Sequence, residues 1–352
     1  MSHSSSTTLP AAELSRLRFG LMPLADSAPI VVAREMGFFA RHGLDVTLSV
    51  EGSWAGLRDK LAAGMLDAAQ LLAPMPLAAQ LGLDGFGVPL VSALTTSRNG
   101  NMITVSPALF EAMAVTPGDA AATARALKRV LDADRAAGRP RRIFSDVFPF
   151  SSHHYLLCEW LASAGIEPER DLQIITIPPP MTVHSLRSGQ IDGFCSGAPW
   201  SHAAETAGVG HSLLACRSIR ADCVEKVLAV RADWADRYPI THRKLVAALI
   251  EAGRWLDQPT QRADAARQLN QGAYLDVPPT TVLQALSPDE GQVMNAGFKF
   301  SSADDGCPRA DDAEWLLQQM LRWGQTRADL IDHEGVASSY RADIHAEALQ
   351  LL

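Results

Sequence analysis

The chain has 352 residues, which is too long for one ordinary domain and suits two. Hydrophobic residues make up 47% and charged residues 20%, the balance of a soluble globular protein. The formal net charge of −8 opposes contact with phosphate backbones and so argues against direct binding of nucleic acid.

Cysteine usage and the N-terminus bear on the cellular compartment. The five cysteines are odd in number and form no C-x-x-C pair, which gives little support for a zinc site or a disulfide framework. Residues 1–15 are polar and rich in Ser and Thr, so we expect a flexible tail. This stretch has no apolar run of signal-peptide length, and no later stretch reaches membrane-spanning length. We therefore expect a cytoplasmic protein with no membrane partner.

The first part of the chain alternates strand and helix signals. Apolar residues at alternate positions predict strands with one buried face, and a proline-to-glycine span predicts a helix between two of them. This β–α–β–α order favours a parallel sheet. The predicted elements are a strand near 17–20, a helix over 29–43, a strand over 44–50, a helix through 57–61 and a strand over 67–73.

A second copy of the same order begins near residue 142, after an apolar segment at 102–105 and a charged helix over about 118–137. Beyond residue 226 we expect mainly helix, with Thr241 and Thr260 as N-caps. The elements of the second copy are a strand over 143–148, a helix over 152–164, a strand over 172–177, a short helix over 180–188 and a strand over 191–196.

Two α/β units, separated and then followed by helices, predict two lobes with a cleft between them. We assign residues 16–99 and 223–352 to the first lobe and residues 100–222 to the second. The common enzyme signatures are missing, since the chain has no G-x-S-x-G elbow, no P-loop, no complete G-x-G-x-x-G and no H-E-x-x-H. These absences remove the easily recognised enzyme classes without excluding an enzyme, and we expect a binding protein that is not an enzyme.

Seven short motifs together are specific. They are Ser53–Asp59, Ala73–Pro76, Asn99–Asn101, Val147–Pro149, Pro178–Met181, Asp192–Trp200 and Trp315–Gly324. In order and spacing they resemble the nitrate- and bicarbonate-binding proteins of the NrtA and CmpA kind. The resemblance covers nearly the whole chain from about residue 17. It implies an α/β, two-lobed fold of the type II periplasmic-binding-protein kind, with each lobe a mixed sheet flanked by helices and the ligand in the cleft between lobes.

The absence of a leader-like segment at the N-terminus favours one group within this family. A member without a leader is similar to the NasS-type cytoplasmic nitrate/nitrite sensors, which implies nitrate or nitrite as ligand and a NasT-like, RNA-binding antiterminator as partner. The alternatives are a substrate-binding protein of a nitrate ABC transporter and an enzyme of the related thiamine-pyrimidine-synthesis or desulfinase groups. An enzyme of that kind needs a cysteine or histidine constellation in the cleft, and we interpret Cys195 as a packing residue.

The resemblance and the residues themselves indicate an anion site. Trp54 and Gly56 stand at a helix start, where free backbone N–H groups favour an anion. Asn101, at the first crossing between lobes, replaces the glutamine of the family and can still donate through its amide. Trp54 could instead be a core residue, and Asn101 a turn residue.

Four further positions match the family's site. His153 aligns with its ligand-binding histidine, although an exposed helix-start histidine is the alternative. Pro179 precedes another helix start, and Ser196 and Gly197 end a strand at the carboxyl edge of the sheet, where ligands usually bind.

Lys226, at the second crossing, matches the lysine that contacts nitrate in the nitrate receptors. A lysine supplies positive charge directly, so we predict no metal and no cofactor. We expect Lys226 to line a solvent-filled cleft. The alternative is a surface lysine paired with Glu225 or Asp222.

Overall fold

The computed structural model describes residues 11–271, 274–287 and 295–352. These residues form two five-stranded sheets. The strands are β1 (Arg16–Leu21), β2 (Asp45–Val50), β3 (Ala68–Leu72), β4 (Leu90–Arg98), β5 (Asn101–Val105), β6 (Ile143–Asp146), β7 (Gln173–Thr176), β8 (Gly193–Gly197), β9 (His211–Ala215) and β10 (Val224–Arg231).

Both sheets are mixed and repeat one strand order. The first runs β2-β1-β3-β10-β4 and the second β7-β6-β8-β5-β9. In each sheet three strands pair in parallel, and one strand from a distant part of the chain, β10 or β5, pairs antiparallel with both its neighbours. Neighbouring parallel strands need a crossover connection, usually a helix, and the β–α–β order of the sequence supplies one between β1 and β2 and between β6 and β7.

Helices pack against both sheets, as the amphipathic patterns indicate. The α-helices of the described residues are α1 (Ala28–Glu35), α2 (Phe38–Arg41), α3 (Trp54–Ala62), α4 (Pro74–Gln80), α5 (Pro107–Met113), α6 (Ala120–Ala136), α7 (Ser152–Ser163), α8 (Thr182–Arg187), α9 (Trp200–Thr206), α10 (Ala232–Arg237), α11 (Pro239–Leu256), α12 (Arg262–Gln271), α13 (Pro279–Leu286), α14 (Ala310–Arg322), α15 (His333–Ser339) and α16 (Ala342–Leu349).

The chain passes between the sheets twice, from β4 to β5 and from β9 to β10. Asn99 and Gly100 form the first link, and Gly100 has a φ of +100°. A Cβ atom at Gly100 would lie 2.1 Å from Phe298 Cε1, so a glycine is required at this crossing. Strand membership supports a division of the lobes near residues 99 and 223, and the full bounds given above stay a prediction.

Several elements differ from the sequence-based prediction, among them strand β9, which was not predicted. The helix predicted over 29–43 is broken at Gly37, whose φ of +77° separates α1 from α2. The chain is not helical directly after residue 226, because β10 continues to Arg231. Strand β4 was not predicted, since all nine of its residues are buried and its sequence does not alternate.

The start of α11 also corrects two predictions. Thr241 is not the N-cap, because the helix begins at Pro239. The Glu13 carboxylate instead accepts hydrogen bonds from the backbone N–H groups of Ile240 and Thr241, at 2.9 and 2.8 Å. The flexible tail predicted over residues 1–15 is therefore wrong at Glu13, which is hydrogen-bonded to this helix. Residues 1–10 of that tail lie outside the described range. Thr260 lies inside a 3-10 turn and not at an N-cap.

We predict that Gly306→Ala destabilises the fold by about 3 kcal/mol. Gly306 has a φ of +73°, and a Cβ atom there would lie 2.4 Å from the backbone oxygen of Thr95 in β4. Gly138→Ala is the matched control, because its φ of +64° is similar and its Cβ atom would meet nothing within 4 Å. The control is expected to cost only about 1 kcal/mol. Urea unfolding of both variants measures the difference, and equal losses would contradict the packing at Gly306.

Candidate functional site

A cluster of buried polar side chains joins the two sheets. Two members come from β10, one from the 3-10 turn after β1, one from the start of β5 and two from the first turn of α7. Each is at most 2% exposed. We call these six residues the buried polar cluster: Asp26, Asn101, Ser152, His153, Glu225 and Lys226.

Lys226 carries the positive charge of the cluster. Its Nζ lies 2.6 Å from Glu225 Oε1 and 2.8 Å from Asp26 Oδ2. It also lies 5.4 Å from the centre of the Trp54 ring, within range of a cation–π contact. Burial opposes the charge, but the two carboxylates outweigh it and raise the pKa of Lys226. The ammonium group is therefore ionised.

The Glu225 carboxylate is the most highly coordinated group of the cluster. It accepts hydrogen bonds from Lys226 Nζ, from Asn101 Nδ2 at 2.5 Å and from the Ser152 hydroxyl. His153 Nδ1 lies 3.2 Å from Glu225 Oε1, although the ring is not oriented for a hydrogen bond. Groups from β5, α7 and β10 thus converge on one carboxylate and hold the two sheets together there.

Asp26 is the second acid of the cluster. Gln70 of β3 holds it, since Gln70 Nε2 donates to both the backbone oxygen and Oδ1 of Asp26 at 3.0 Å. Burial raises the pKa of Asp26, and the nearby Lys226 only partly offsets that effect. One ammonium group is therefore shared between two carboxylates.

His153 is the neutral member of the cluster. Burial, reinforced by the charge of Lys226, holds the pKa of His153 well below its ordinary value. Neither ring nitrogen has a hydrogen-bond partner among the described residues. A neutral imidazole offers one donor and one acceptor, so His153 can serve a ligand in either role. The neighbouring His154 points elsewhere, to Asp146, with an Nδ1–Oδ2 distance of 2.7 Å.

Gly197 borders the cluster, as the strand register explains. In the β5–β8 pair Asn101 lies opposite Gly197, at the point where each strand meets the crossing between sheets. A Cβ atom at Gly197 would lie 3.6 Å from His153 Nε2 and 3.6 Å from Asp26 Oδ2. A larger side chain would enter the space that these two groups face. The structure thus brings Gly197 together with Asn101, His153 and Lys226, as the sequence predicts.

Trp54 also reaches the cluster, whereas the Gly56 amide is occupied. The Trp54 ring is buried beside Lys226, and its Nε1 has no partner among the described residues. The backbone N–H of Gly56 donates to the N-cap hydroxyl of Ser53 at 3.1 Å. This amide is therefore not free for an anion while Ser53 caps the helix, and the role of Gly56 in a ligand site stays a prediction.

Ser196 and Pro179 lie apart from these contacts. Successive side chains of a strand point to opposite faces, so the Ser196 side chain faces away from the side that Gly197 and Asn101 share. Pro179 is buried at the start of a 3-10 turn, and its carbonyl oxygen accepts the Thr182 hydroxyl of the same turn. No hydrogen bond of the described residues joins either of them to the buried polar cluster.

The setting of Lys226 differs from the predicted solvent-filled cleft. Its side chain is fully buried, because groups from both sheets close over it. Of the two alternative partners, Glu225 pairs with it, whereas Asp222 pairs with Lys299 and Arg309. A cavity of about 470 Å³ lies elsewhere, and none of its lining residues belongs to the buried polar cluster.

Sequence reasoning missed three members of the cluster as ligand-site residues: Asp26, Ser152 and Glu225. Asp26 had a usable signal, because this acidic residue lies in the short connection between an apolar strand and a helix start. Ser152 is adjacent to His153 in the first turn of α7. Glu225 had no such signal, because neighbours in a regular strand face opposite sides, and only the irregular pairing of β10 with β4 near this residue distinguishes it.

The fold places this chain in a known class. Two mixed sheets flanked by helices match the type II periplasmic-binding-protein fold. The solved structure of the periplasmic nitrate-binding protein NrtA from Synechocystis PCC 6803 superposes with a TM-score of 0.87 at 27% identity, over 97% of this chain and 90% of that one.

The sequence comparisons name the family. The chain belongs to the NMT1-like family, whose model matches residues 10–270. The bicarbonate-binding protein CmpA of Synechococcus elongatus is 31% identical over 91% of this chain and 74% of its own length. The bicarbonate transport ATP-binding protein CmpC of the same organism is 38% identical over 89% of this chain. That match covers 46% of CmpC, so the chain spans about half the length of the first curated relatives it matches.

The described residues also bear on metal binding and on membrane-spanning helices. No group of three or more His, Cys, Asp or Glu side chains in the described ranges is arranged to hold a metal ion. Among the helices described, none is long and apolar enough to cross a membrane.

We predict that Lys226→Met lowers the free energy of unfolding at pH 7.5 by about 3–5 kcal/mol, because it leaves two buried carboxylates without a cation. The folded-state pKa of Asp26 is already raised, so the folded variant binds protons at a higher pH than the unfolded chain does. The loss should therefore shrink as the pH falls toward about 5.

Urea unfolding at both pH values measures this effect. The control is Lys128→Met, which removes a half-exposed lysine paired with Asp132 on α6. That control should cost less than about 1 kcal/mol. A loss at Lys226 no larger than the loss at Lys128 would contradict the burial and pairing described here.

Proposed function

We propose that this chain is a receptor for nitrate or nitrite, which it binds at the buried polar cluster. The observation that carries the proposal is the buried, ionised Lys226 of the first sheet, close to hydrogen-bond donors that come from the second sheet and its helix α7. Asn101, Ser152 and His153 supply those donors, and the Trp54 ring bounds the ammonium group on one side. The names of the nitrate- and bicarbonate-binding relatives support this class of ligand.

The chemistry of the ligand fits these groups. Nitrate is planar, carries one negative charge and is weakly basic, so it needs several N–H or O–H donors and a positive group in a dry site. Lys226 supplies the charge, which makes a metal or other cofactor unnecessary in this proposal. Gly197 leaves room next to His153, since it has no side chain.

We further propose that the chain is a cytoplasmic sensor and not an enzyme. In this proposal the lobes are 16–99 with 223–352, and 100–222. Because the cluster draws groups from both sheets, an anion bound there stabilises the closed state by its differential affinity. A NasT-like antiterminator that recognises only the open state is then released to act on genes of nitrate assimilation.

The alternative is a substrate-binding protein of a nitrate ABC transporter. The similarity to the periplasmic protein NrtA favours this alternative. Both functions use the same anion site and the same closure. They differ in the partner that reads the closed state, either a permease or a regulator.

We predict that nitrate or nitrite raises the melting temperature as expected from RT ln(1 + [L]/Kd). Bicarbonate with calcium should have little effect, because Lys226 occupies the position that would otherwise recruit a metal. Differential scanning calorimetry with each anion measures this. A shift with bicarbonate and calcium, and none with nitrate or nitrite, would reverse the assignment.

Nitrate titration of two histidine variants tests where the anion binds. His153→Ala should weaken nitrate binding by about 1–3 kcal/mol, the usual cost of removing a buried hydrogen-bonding group. His184→Ala is the control, since His184 is exposed on α8 and remote from the cluster. Equal affinities of the two variants would place the anion elsewhere.

The sensor proposal predicts that the antiterminator partner co-purifies with the chain in the absence of nitrate and is lost when nitrate is added. Release requires closure on the anion, so the His153→Ala protein should need a higher nitrate concentration for the same release. Pull-down over a nitrate series measures both midpoints. A partner that stays bound at saturating nitrate would contradict the sensor proposal and favour the alternative, a substrate-binding protein of a transporter.

A further inference from the structure

The Glu225 carboxylate accepts hydrogen bonds from the same donors that a bound oxyanion would need. Its two carboxylate oxygens accept from Asn101 Nδ2, from the Ser152 hydroxyl and from Lys226 Nζ, and His153 Nδ1 lies 3.2 Å away. A carboxylate and a nitrate are both trigonal planar groups with a delocalised negative charge. The Glu225 side chain therefore resembles the proposed ligand in shape, charge and hydrogen bonds.

The backbone of β10 places the Glu225 side chain in the cluster. Neighbouring residues of a regular strand point to opposite faces, yet Glu225 and Lys226 both reach the cluster. The pairing of β10 with β4 is irregular here, because Val224 pairs with Arg98 and Lys226 pairs with the adjacent Ser97. An irregularity of this kind redirects a side chain, and such features occur often beside functional sites.

Charge makes the Glu225 carboxylate incompatible with a second anion in the same place. Lys226 already faces the carboxylates of Glu225 and Asp26, and His153 adds no charge because it is neutral. A further anion at Lys226 would be the third negative group around one ammonium, in a site from which water is excluded. Like charges at such short distances repel strongly when they are desolvated.

We propose that Glu225 is an internal competitor, which occupies the oxyanion position until a ligand displaces its carboxylate. The inference rests on the proposed function, since it concerns the same anion site. In this arrangement the side chain sets the ligand concentration at which the site fills, because each bound anion must first release Lys226, Asn101 and Ser152 from Glu225. The competitor also keeps the donors of the cluster paired, so the buried ammonium of Lys226 is not left without a partner.

The test compares nitrate binding by the wild-type protein, Glu225→Gln and Glu111→Gln, using isothermal titration calorimetry at one pH and one ionic strength. Gln keeps the size of Glu225 but lacks its charge, so the dissociation constant for nitrate should fall at least tenfold. Glu111→Gln makes the same change in net charge at an exposed residue of α5 and should bind like the wild type. Binding by Glu225→Gln that is equal to or weaker than the wild type would overturn the proposal.

A second variant covers the case in which Glu225→Gln does not fold. Glu225→Asp keeps the charge but is one methylene shorter, so its carboxylate cannot reach Asn101 and Ser152 as Glu225 does. It should bind nitrate more tightly than the wild type. If the wild type binds nitrate and neither Glu225 variant binds it more tightly, the proposal that Glu225 competes with the ligand is refuted. The proposal that the chain is a nitrate receptor is unaffected by that result. If no protein of the series binds nitrate or nitrite, the proposed function itself fails.

Discussion

The pairing of one buried ammonium group with two carboxylates is the interaction on which the rest of the site depends. A lysine charge without a partner is not stable in a protein interior, so Lys226 requires Asp26 and Glu225. Both acids belong to the first sheet and its connections, whereas two of the hydrogen-bond donors to Glu225, Asn101 and Ser152, belong to the second. The ion pair of Lys226 with Glu225 thus stands at a point where groups from both sheets meet, and in the proposed function a ligand acts at this point.

Much of this arrangement could be predicted from the sequence, because short-range patterns carry it. Alternation and turn residues located β2, α7 and β8, and these elements place His153 and Gly197 at one point. The meeting of Lys226 with Trp54 also agrees with the prediction, although they are far apart in the chain. The predicted β–α–β order was enough to fix the parallel part of each sheet. The remaining strands β4, β9 and β10 were not predicted, because they depend on pairing between distant segments.

The details of the site could not be predicted, for two physical reasons. The direction of the Glu225 side chain depends on an irregular pairing between β10 and β4, which no local pattern reveals. The use of the Gly56 amide depends on the rotamer of Ser53, which can cap its own helix or leave the N–H groups free. Burial of Lys226 likewise results from the packing of groups from both sheets around it, which a one-dimensional pattern does not show. The sequence therefore indicated several of the residues that meet, while the structure shows the ion pairs and hydrogen bonds between them.

We propose that an oxyanion binds among Lys226, His153 and Asn101, in the position that the Glu225 carboxylate holds in this structure. A crystal structure of the protein grown with nitrate tests this placement. We expect trigonal density within hydrogen-bond distance of Lys226 Nζ, with the Glu225 carboxylate moved away from Asn101 and Ser152. Nitrate density at another place, with Glu225 still bonded to Lys226, Asn101 and Ser152, would contradict it.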